Sequence, residues 1–284
     1  MEAFLSIFTI IWLFFIGAGF FSILYALCLR LEGRISGKDY VCENCGMVLP
    51  VKDLIPVFSY LFLKGRCRSC GEKIPAGELV AEIAGGLITE AVFFRFGRHA
   101  SIKGAIAFSG VLDITATISP WKACSLLLIY LVFCLLFMVT VIDHDTMMIP
   151  DKLSIAMLIL GAASVFCLPV ISIPEHLIGL VAVSLPLLLI TLAIPGAFGG
   201  GDIKLMAGAG LFLGWKLVLV ALFLGILTGG CYAIWLLARK KTGRKGHFAF
   251  GPFLCFGIAL SMIAGDAILS GYLQMAGRLY RMGR

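Results

Sequence analysis

The sequence predicts an all-α polytopic membrane protein of about eight transmembrane helices with a small cytoplasmic four-cysteine zinc-binding insert. Three observations predict it. Hydrophobic residues make up 61% of the 284 residues and charged residues only 14%, against about 45–50% and 25% in ordinary soluble domains. Mean hydropathy is +1.05, and apolar runs recur at roughly the 20 residues needed to cross ~30 Å of hydrocarbon. Only one sizeable polar segment, within residues 31–78, interrupts them.

The first run, residues 4–29, is too long for a signal-peptide core and no small-residue cleavage site follows, so it reads as a span. Further spans are read at 79–96, 122–142, 153–170, 176–195, 203–214, 217–238 and 250–272. The sixth holds about 12 residues before Gly214-Trp215-Lys216, which marks a tilted or broken helix beside a site. The domain organisation read from this pattern is a first span (1–30), a cytoplasmic insert (31–78), second and third spans (79–142), and five remaining spans (143–284). Residues 97–122 are read as an external or re-entrant insertion. They carry Asp113 and end near Pro120, and a span there would invert everything downstream.

Of the 23 Lys and Arg, fifteen fall on one side of this arrangement, eight of them between the first two spans and five at residues 239–245. The positive-inside rule makes that side cytoplasmic and puts both termini outside. Arg278, Arg281 and Arg284 run against the rule. The net charge of +7 follows topology rather than partners. The basic residues are not interleaved with a polar recognition face, so the bilayer is an expected partner and nucleic acid is not.

Six of the ten cysteines (Cys28, Cys124, Cys134, Cys167, Cys231 and Cys255) lie in apolar runs, where a thiol behaves as a small hydrophobe. The other four form two CxxC knuckles, Cys42/Cys45 and Cys67/Cys70, 21 residues apart, each followed by a glycine (Gly46, Gly71). Four thiolates on two tight turns suit a closed tetrahedral structural zinc site. An insert of this size also needs a staple, having little core of its own. Disulfides or free thiols are the alternatives, and a reducing cytoplasm disfavours the disulfides.

Two carboxylates sit where carboxylates are costly. Asp143 follows the third span in Thr140-Val-Ile-Asp143-His144-Asp145, and Asp202 follows the fifth in Gly199-Gly200-Gly201-Asp202-Ile-Lys204. With alternating topology both reach the cytoplasmic face. Two carboxyl groups brought together share a proton, the state needed to hydrolyse a peptide bond by acid–base catalysis on water. Gly199 to Gly201 would let an extended substrate approach the backbone. Asp145 and Asp151 read as solvated cap or turn residues, and His144 as interfacial. A proton- or ion-coupled transporter is an alternative for the same carboxylates, although its charges belong nearer mid-bilayer. A non-catalytic scaffold with a docking insert is a third reading and leaves the glycines before Asp202 unexplained.

From about Cys42 to Leu254 the chain closely resembles the type IV prepilin peptidases, the GxGD-type aspartyl proteases of pilus and type II secretion systems. The resemblance is carried by the two CxxC knuckles and by Ile55-Pro56-Val-Phe-Ser59-Tyr60-Leu61 leading into Gly65-Arg66-Cys67-Arg68. It continues through Asp143 to Pro150-Asp151, Gly199-Gly-Gly-Asp202-Ile-Lys204 and Phe250-Gly251-Pro252. It implies a multi-pass protein of the bacterial inner (cytoplasmic) membrane that cuts the leader from prepilin-like precursors on the cytoplasmic side. Such precursors carry a basic leader before an apolar N-terminal helix. It places Asp143 and Asp202 on the catalytic positions, with Gly199, Gly200, Gly201 and Lys204 in the site loop. It further implies S-adenosylmethionine-dependent N-methylation in many members, tied to the N-terminal cytoplasmic region, where Glu82 holds the family's glutamate position. The run Gly17-Ala-Gly-Phe-Phe-Ser and the stretch Glu78-Leu-Val-Ala depart from the family pattern, and no Gly-rich nucleotide loop is present.

Overall fold

The structure, a computed structural model, describes residues 2–34, 42, 44–48, 50, 55–97, 120–168, 171–239 and 248–282. It divides into two compact units, residues 1–119 and 120–284. All regular elements among the described residues are helical.

In the first unit, α1 (Glu2–Leu31) packs against α3 (Ala76–Val92), which runs on through a π-turn at Phe93–Gly97. The contact is close because both helices offer glycine. A Cβ on Gly85 would lie 2.8 Å from the Gly17 carbonyl oxygen, and one on Gly86 would overlap the Phe14 ring. Small residues let helix backbones approach where lipid supplies no hydrophobic drive between helices. A five-residue helix, α2 (Phe58–Phe62), lies between them in sequence.

The second unit begins with α4 (Pro120–Thr146) and α5 (Asp151–Cys167), the latter opened by Pro150 as proline favours at a helix start. Ser125 Oγ donates to the Cys167 carbonyl oxygen at 2.6 Å, tying the start of α4 to the end of α5. Then come α6 (Ile173–Ala182) and α7 (Ser184–Ala193), which meet at Val183. Ser172 and Glu175 form a capping box before α6, satisfying orphan N–H groups. The long α8 (Gly200–Ala238) and the C-terminal α9 (Gly251–Met282) complete the unit.

The expected short sixth span is the first part of α8. Gly214, at φ 74 and ψ 169, breaks the 39-residue helix in two, a backbone conformation that glycine alone adopts without strain. Unbroken, 39 residues would reach about 58 Å, almost twice the hydrocarbon thickness. Before the break α8 packs on α5 and α6: a Cβ on Gly161 would lie 2.7 Å from the Gly208 carbonyl oxygen, and His176 Nδ1 sits 2.5 Å from the Leu211 carbonyl oxygen. After it, Ser261 Oγ of α9 donates to the Leu217 carbonyl oxygen at 2.7 Å. The break stands 12 residues from Asp202, about 18 Å along the helix, so it does not adjoin that carboxylate.

Five segments among the described residues are long and apolar enough to cross a membrane: Ile7–Leu31, Ala123–Thr146, Ile173–Ala193, Gly200–Ala238 and Gly251–Arg278. The count of eight differs because α3 and α5 have 17 residues each and because the sixth and seventh spans form one element. The insertion read at 97–122 lies almost wholly outside the described residues.

Candidate functional site

Two clusters of chemically capable side chains stand out, one in each unit. In the second unit, Asp143 lies in the last turn of α4 and Asp202 is the third residue of α8. Both are buried, at 4% and 9% exposure, although each stands at a helix end. Asp143 Oδ2 accepts the Gly251 N–H at 2.9 Å, from the first residue of α9. Asp202 Oδ2 accepts the Gly199 N–H at 3.3 Å, from its own N-cap. Each carboxylate is thus aimed at unpaired N–H groups of a helix N-terminus, where the helix dipole favours negative charge.

The two aspartates are close enough for the charge of Asp143 to act on Asp202, and both act on the Cys255 thiol one turn into α9. Thr140 Oγ1, one turn before Asp143, donates to the Leu136 carbonyl oxygen at 2.8 Å. The elements that assemble the site are therefore the end of α4 and the starts of α8 and α9. Phe198 and Phe250, with ring centroids 6.1 Å apart, sit beside the two starts.

The site-loop glycines differ from one another. A Cβ on Gly201 would come 2.8 Å from Ile149 Cβ, so Gly201 is where α8 packs on the loop after α4. Around Gly200 that direction is open, with no atom within 4 Å. Lys204 Nζ pairs with Asp151 Oδ1 at 2.7 Å, both side chains exposed. Asp151 thus joins the start of α5 to the start of α8, a role not visible in its sequence position. Asp145 and His144 are exposed.

Gly251 has a role in the site that its place in the sequence does not announce. A Cβ there would lie 2.5 Å from Asp143 Oδ2. Its signal was the Phe250-Gly251-Pro252 run opening the last span, but nothing in the spacing ties it to a carboxylate 108 positions away.

In the first unit the sulfurs of Cys42, Cys45, Cys67 and Cys70 lie within 4.8 Å of one another. Cys42 and Cys70 are 3.8 Å apart and Cys45 and Cys67 4.0 Å. A tetrahedron with metal–sulfur distances of ~2.3 Å spaces its sulfurs by about 3.8 Å, so the cluster fits a thiolate-bound metal. The two knuckles are built alike. Gly46 N–H donates to the Cys42 carbonyl and Cys42 N–H to the Met47 carbonyl; Gly71 N–H donates to the Cys67 carbonyl and Cys67 N–H to the Glu72 carbonyl. Gly46 and Gly71 take φ values of 69 and 71, as the turns require. The N–H groups of Cys70 and Ser69 pull the Cys67 thiol down to about 6, while burial and the three neighbouring sulfurs hold the Cys45 thiol up at about 11.

Glu82 is buried in α3 at 6% exposure, and its Oε2 accepts the Val57 N–H at 2.7 Å.

Comparison with known proteins adds to this geometry. The model of the type IV leader peptidase family matches residues 128–234, a stretch containing Asp143 and Asp202. The bacterial N-terminal domain of the A24 peptidases matches residues 15–96, containing the four cysteines and Glu82. The chain is 31% identical over 235 residues to a prepilin leader peptidase/N-methyltransferase of Bacillus subtilis (strain 168), covering 83% of this chain and 85% of that protein. It is 32% identical over 231 residues to the protein of that name from Pectobacterium carotovorum subsp. carotovorum (78% and 73% covered). To that from Pseudomonas aeruginosa it is 29% identical over 241 residues (83% and 75%). No solved structure matches.

Proposed function

Since the chain belongs to the type IV leader peptidase family, we propose that it is a membrane aspartic endopeptidase that removes the leader of prepilin-like precursors at the cytoplasmic membrane face, with Asp143 and Asp202 as its catalytic pair. The observation that carries this reading is the burial of both carboxylates at adjoining helix ends, with the Asp143 charge acting on Asp202.

The pair holds one proton between its two carboxyl groups. The shorter bond from Gly251, 2.9 Å against 3.3 Å from Gly199, supports Asp143 as the ionised member and Asp202 as the proton holder. Asp143 takes a proton from a water whose oxygen bonds to the scissile carbonyl carbon, while the Asp202 proton passes to the carbonyl oxygen. When the tetrahedral adduct collapses, the C–N bond breaks. The Asp143 proton goes to the leaving amine, and Asp202 recovers its own from the adduct hydroxyl. The open side of Gly200 gives an extended precursor backbone room beside the pair. The substrate's features, a basic leader before an apolar helix, follow the family resemblance and the apolar helices around the site.

The thiol cluster is read as a structural zinc site. All four donors are thiolates, which leaves a tetrahedral ion no open position for catalysis; Cys42, Cys45, Cys67 and Cys70 would hold the ion and fix the insert's fold.

N-methylation with S-adenosylmethionine extends the proposal on the strength of the relatives' name. Glu82, whose Oε2 accepts the Val57 N–H, is the residue of the N-terminal cytoplasmic region that the family resemblance singles out. Mass spectrometry of a mature substrate decides: an unmethylated terminus with the methyl donor present removes that half.

The test of the peptidase reading is cleavage of a prepilin-like precursor in proteoliposomes. Asp143→Asn and Asp202→Asn should each abolish cleavage with insertion unchanged. Full cleavage by either variant overturns the assignment.

A further inference from the structure

The segment between the two cysteine knuckles runs where a soluble insert would not. The chain leaves α1 at Leu31, yet Pro56 Cγ lies 3.7 Å from the place of a Cβ on Gly19, and the Phe58 ring stacks on Phe15 with centroids 5.3 Å apart and planes at 17°. Gly19 lies well inside the apolar stretch Ile7–Leu31. It stands 12 residues before Leu31, about 18 Å back along the helix axis and so near the centre of a ~30 Å hydrocarbon layer.

At that depth backbone groups must be paired within the protein, and five N–H groups of the segment have partners. Pro56 brings no N–H. Phe58 N–H donates to the Pro56 carbonyl at 2.7 Å, Ser59 to Ile55, Leu61 to Val57 and Leu63 to Ser59. The first of these closes a γ-turn about Val57, which is held at φ 64 and ψ −49, a strained geometry for a β-branched residue. The turn points the Val57 N–H at Glu82 Oε2, 2.7 Å away. The side chains that face outward are apolar: Phe62 is 82% exposed and Leu61 60%, with Ile55 and Phe58 also exposed. Such a face is out of place in water and in keeping with acyl chains.

We infer that residues 55–63 form a re-entrant element whose Ile55, Phe58, Leu61 and Phe62 contact the acyl chains of the bilayer, and whose turn is held at membrane depth by the Glu82 carboxylate. A costly buried acid in α3 thereby acquires a positioning role, satisfying a backbone donor. The inference stands on α1 being a membrane span and not on the peptidase reading.

The experiment is footprinting of the full chain in phosphatidylcholine/phosphatidylglycerol proteoliposomes, with a lipid-soluble aryl diazirine in one arm and hydroxyl radicals in the other. Lys52 and Lys64 make residues 53–64 a tryptic peptide of its own. The expected result is carbene labelling of that peptide to the extent seen in α1, with protection from hydroxyl radicals. Oxidation at the rate of the cysteine-knuckle peptides overturns the inference. Protection from both probes, which would mean burial against protein, overturns it too. Glu82→Ala should release the segment, giving less carbene label and more oxidation, whereas Glu82→Gln, which keeps an acceptor oxygen, should restore the wild-type pattern. An unchanged footprint in Glu82→Ala refutes the capping role. Precursor cleavage, measured on the same vesicles, reports separately on the peptidase reading.

Discussion

Gly251 stands against Asp143 so closely that its N–H reaches Oδ2 at 2.9 Å, while a Cβ on the same residue would come within 2.5 Å of that oxygen. The start of α9 thus fits the carboxylate only when it carries no side chain. Gly251→Ala should displace Asp143 or lift the N-terminus of α9. A misplacement near 1 Å costs about 100-fold in rate. The measurement is the precursor cleavage rate of this variant beside wild type, with circular dichroism to verify helicity. A loss below about threefold would mean that the contact does not position the acid.

The neighbouring acids should behave differently. Asp145 is exposed, and Asp145→Asn is expected to retain most activity. Asp151 pairs with Lys204 at 2.7 Å, but both side chains are at least half exposed, and an exposed pair contributes about 0–1 kcal/mol. Asp151→Asn should therefore slow cleavage by no more than about fivefold, and less at high salt, where the pair is already screened. Loss equal to that of Asp143→Asn would move the catalytic role to these carboxylates.

How much of this was legible in the sequence depends on the range of the interaction. Spans follow from local hydropathy, and the CxxC knuckles from spacing that two identical turns impose. The break at Gly214 was foreshadowed by a run too short to cross and followed by Gly-Trp-Lys. By contrast the Gly251–Asp143 bond joins residues 108 apart, and no local pattern encodes it. Asp151 looked like a turn residue because its partner Lys204 is 53 positions on. The polar composition of residues 31–78 follows the cysteine knuckles and does not encode the packing of Pro56 and Phe58 on α1. That packing is a tertiary fact.

Metal removal should act on the first unit. Binding of a structural ion through four thiolates supplies folding free energy, on the order of 10–16 kcal/mol in isolated zinc modules. The purified chain is expected to hold one zinc per molecule. Cys42→Ser together with Cys67→Ser should abolish that content and open the two knuckles, around residues 42–48 and 65–74, to limited proteolysis, while the second unit's helices persist. Absence of zinc from the wild-type protein, measured by elemental analysis, would end the assignment.

The far end of α4 offers a geometric check on the second unit. Cys124 and Cys167 sulfurs lie 3.0 Å apart, beside the 2.6 Å bond from Ser125 to the Cys167 carbonyl. A disulfide needs Sγ atoms ~2.05 Å apart, so a small shift suffices to join them. Mild oxidation by a low-molecular-weight disulfide should therefore link α4 to α5, each exchange releasing two reduced thiols. Non-reducing peptide mapping should find Cys124 and Cys167 in one species, and Cys124→Ser should remove it. Cys124 stands 19 residues before Asp143, about 28 Å along α4, a distance close to the hydrocarbon thickness. A membrane-impermeant maleimide applied outside intact cells should then reach Cys124 or Cys167 after reduction, and not the four knuckle cysteines. Labelling of the knuckles instead would reverse the orientation and move Asp143 and Asp202 to the outer face.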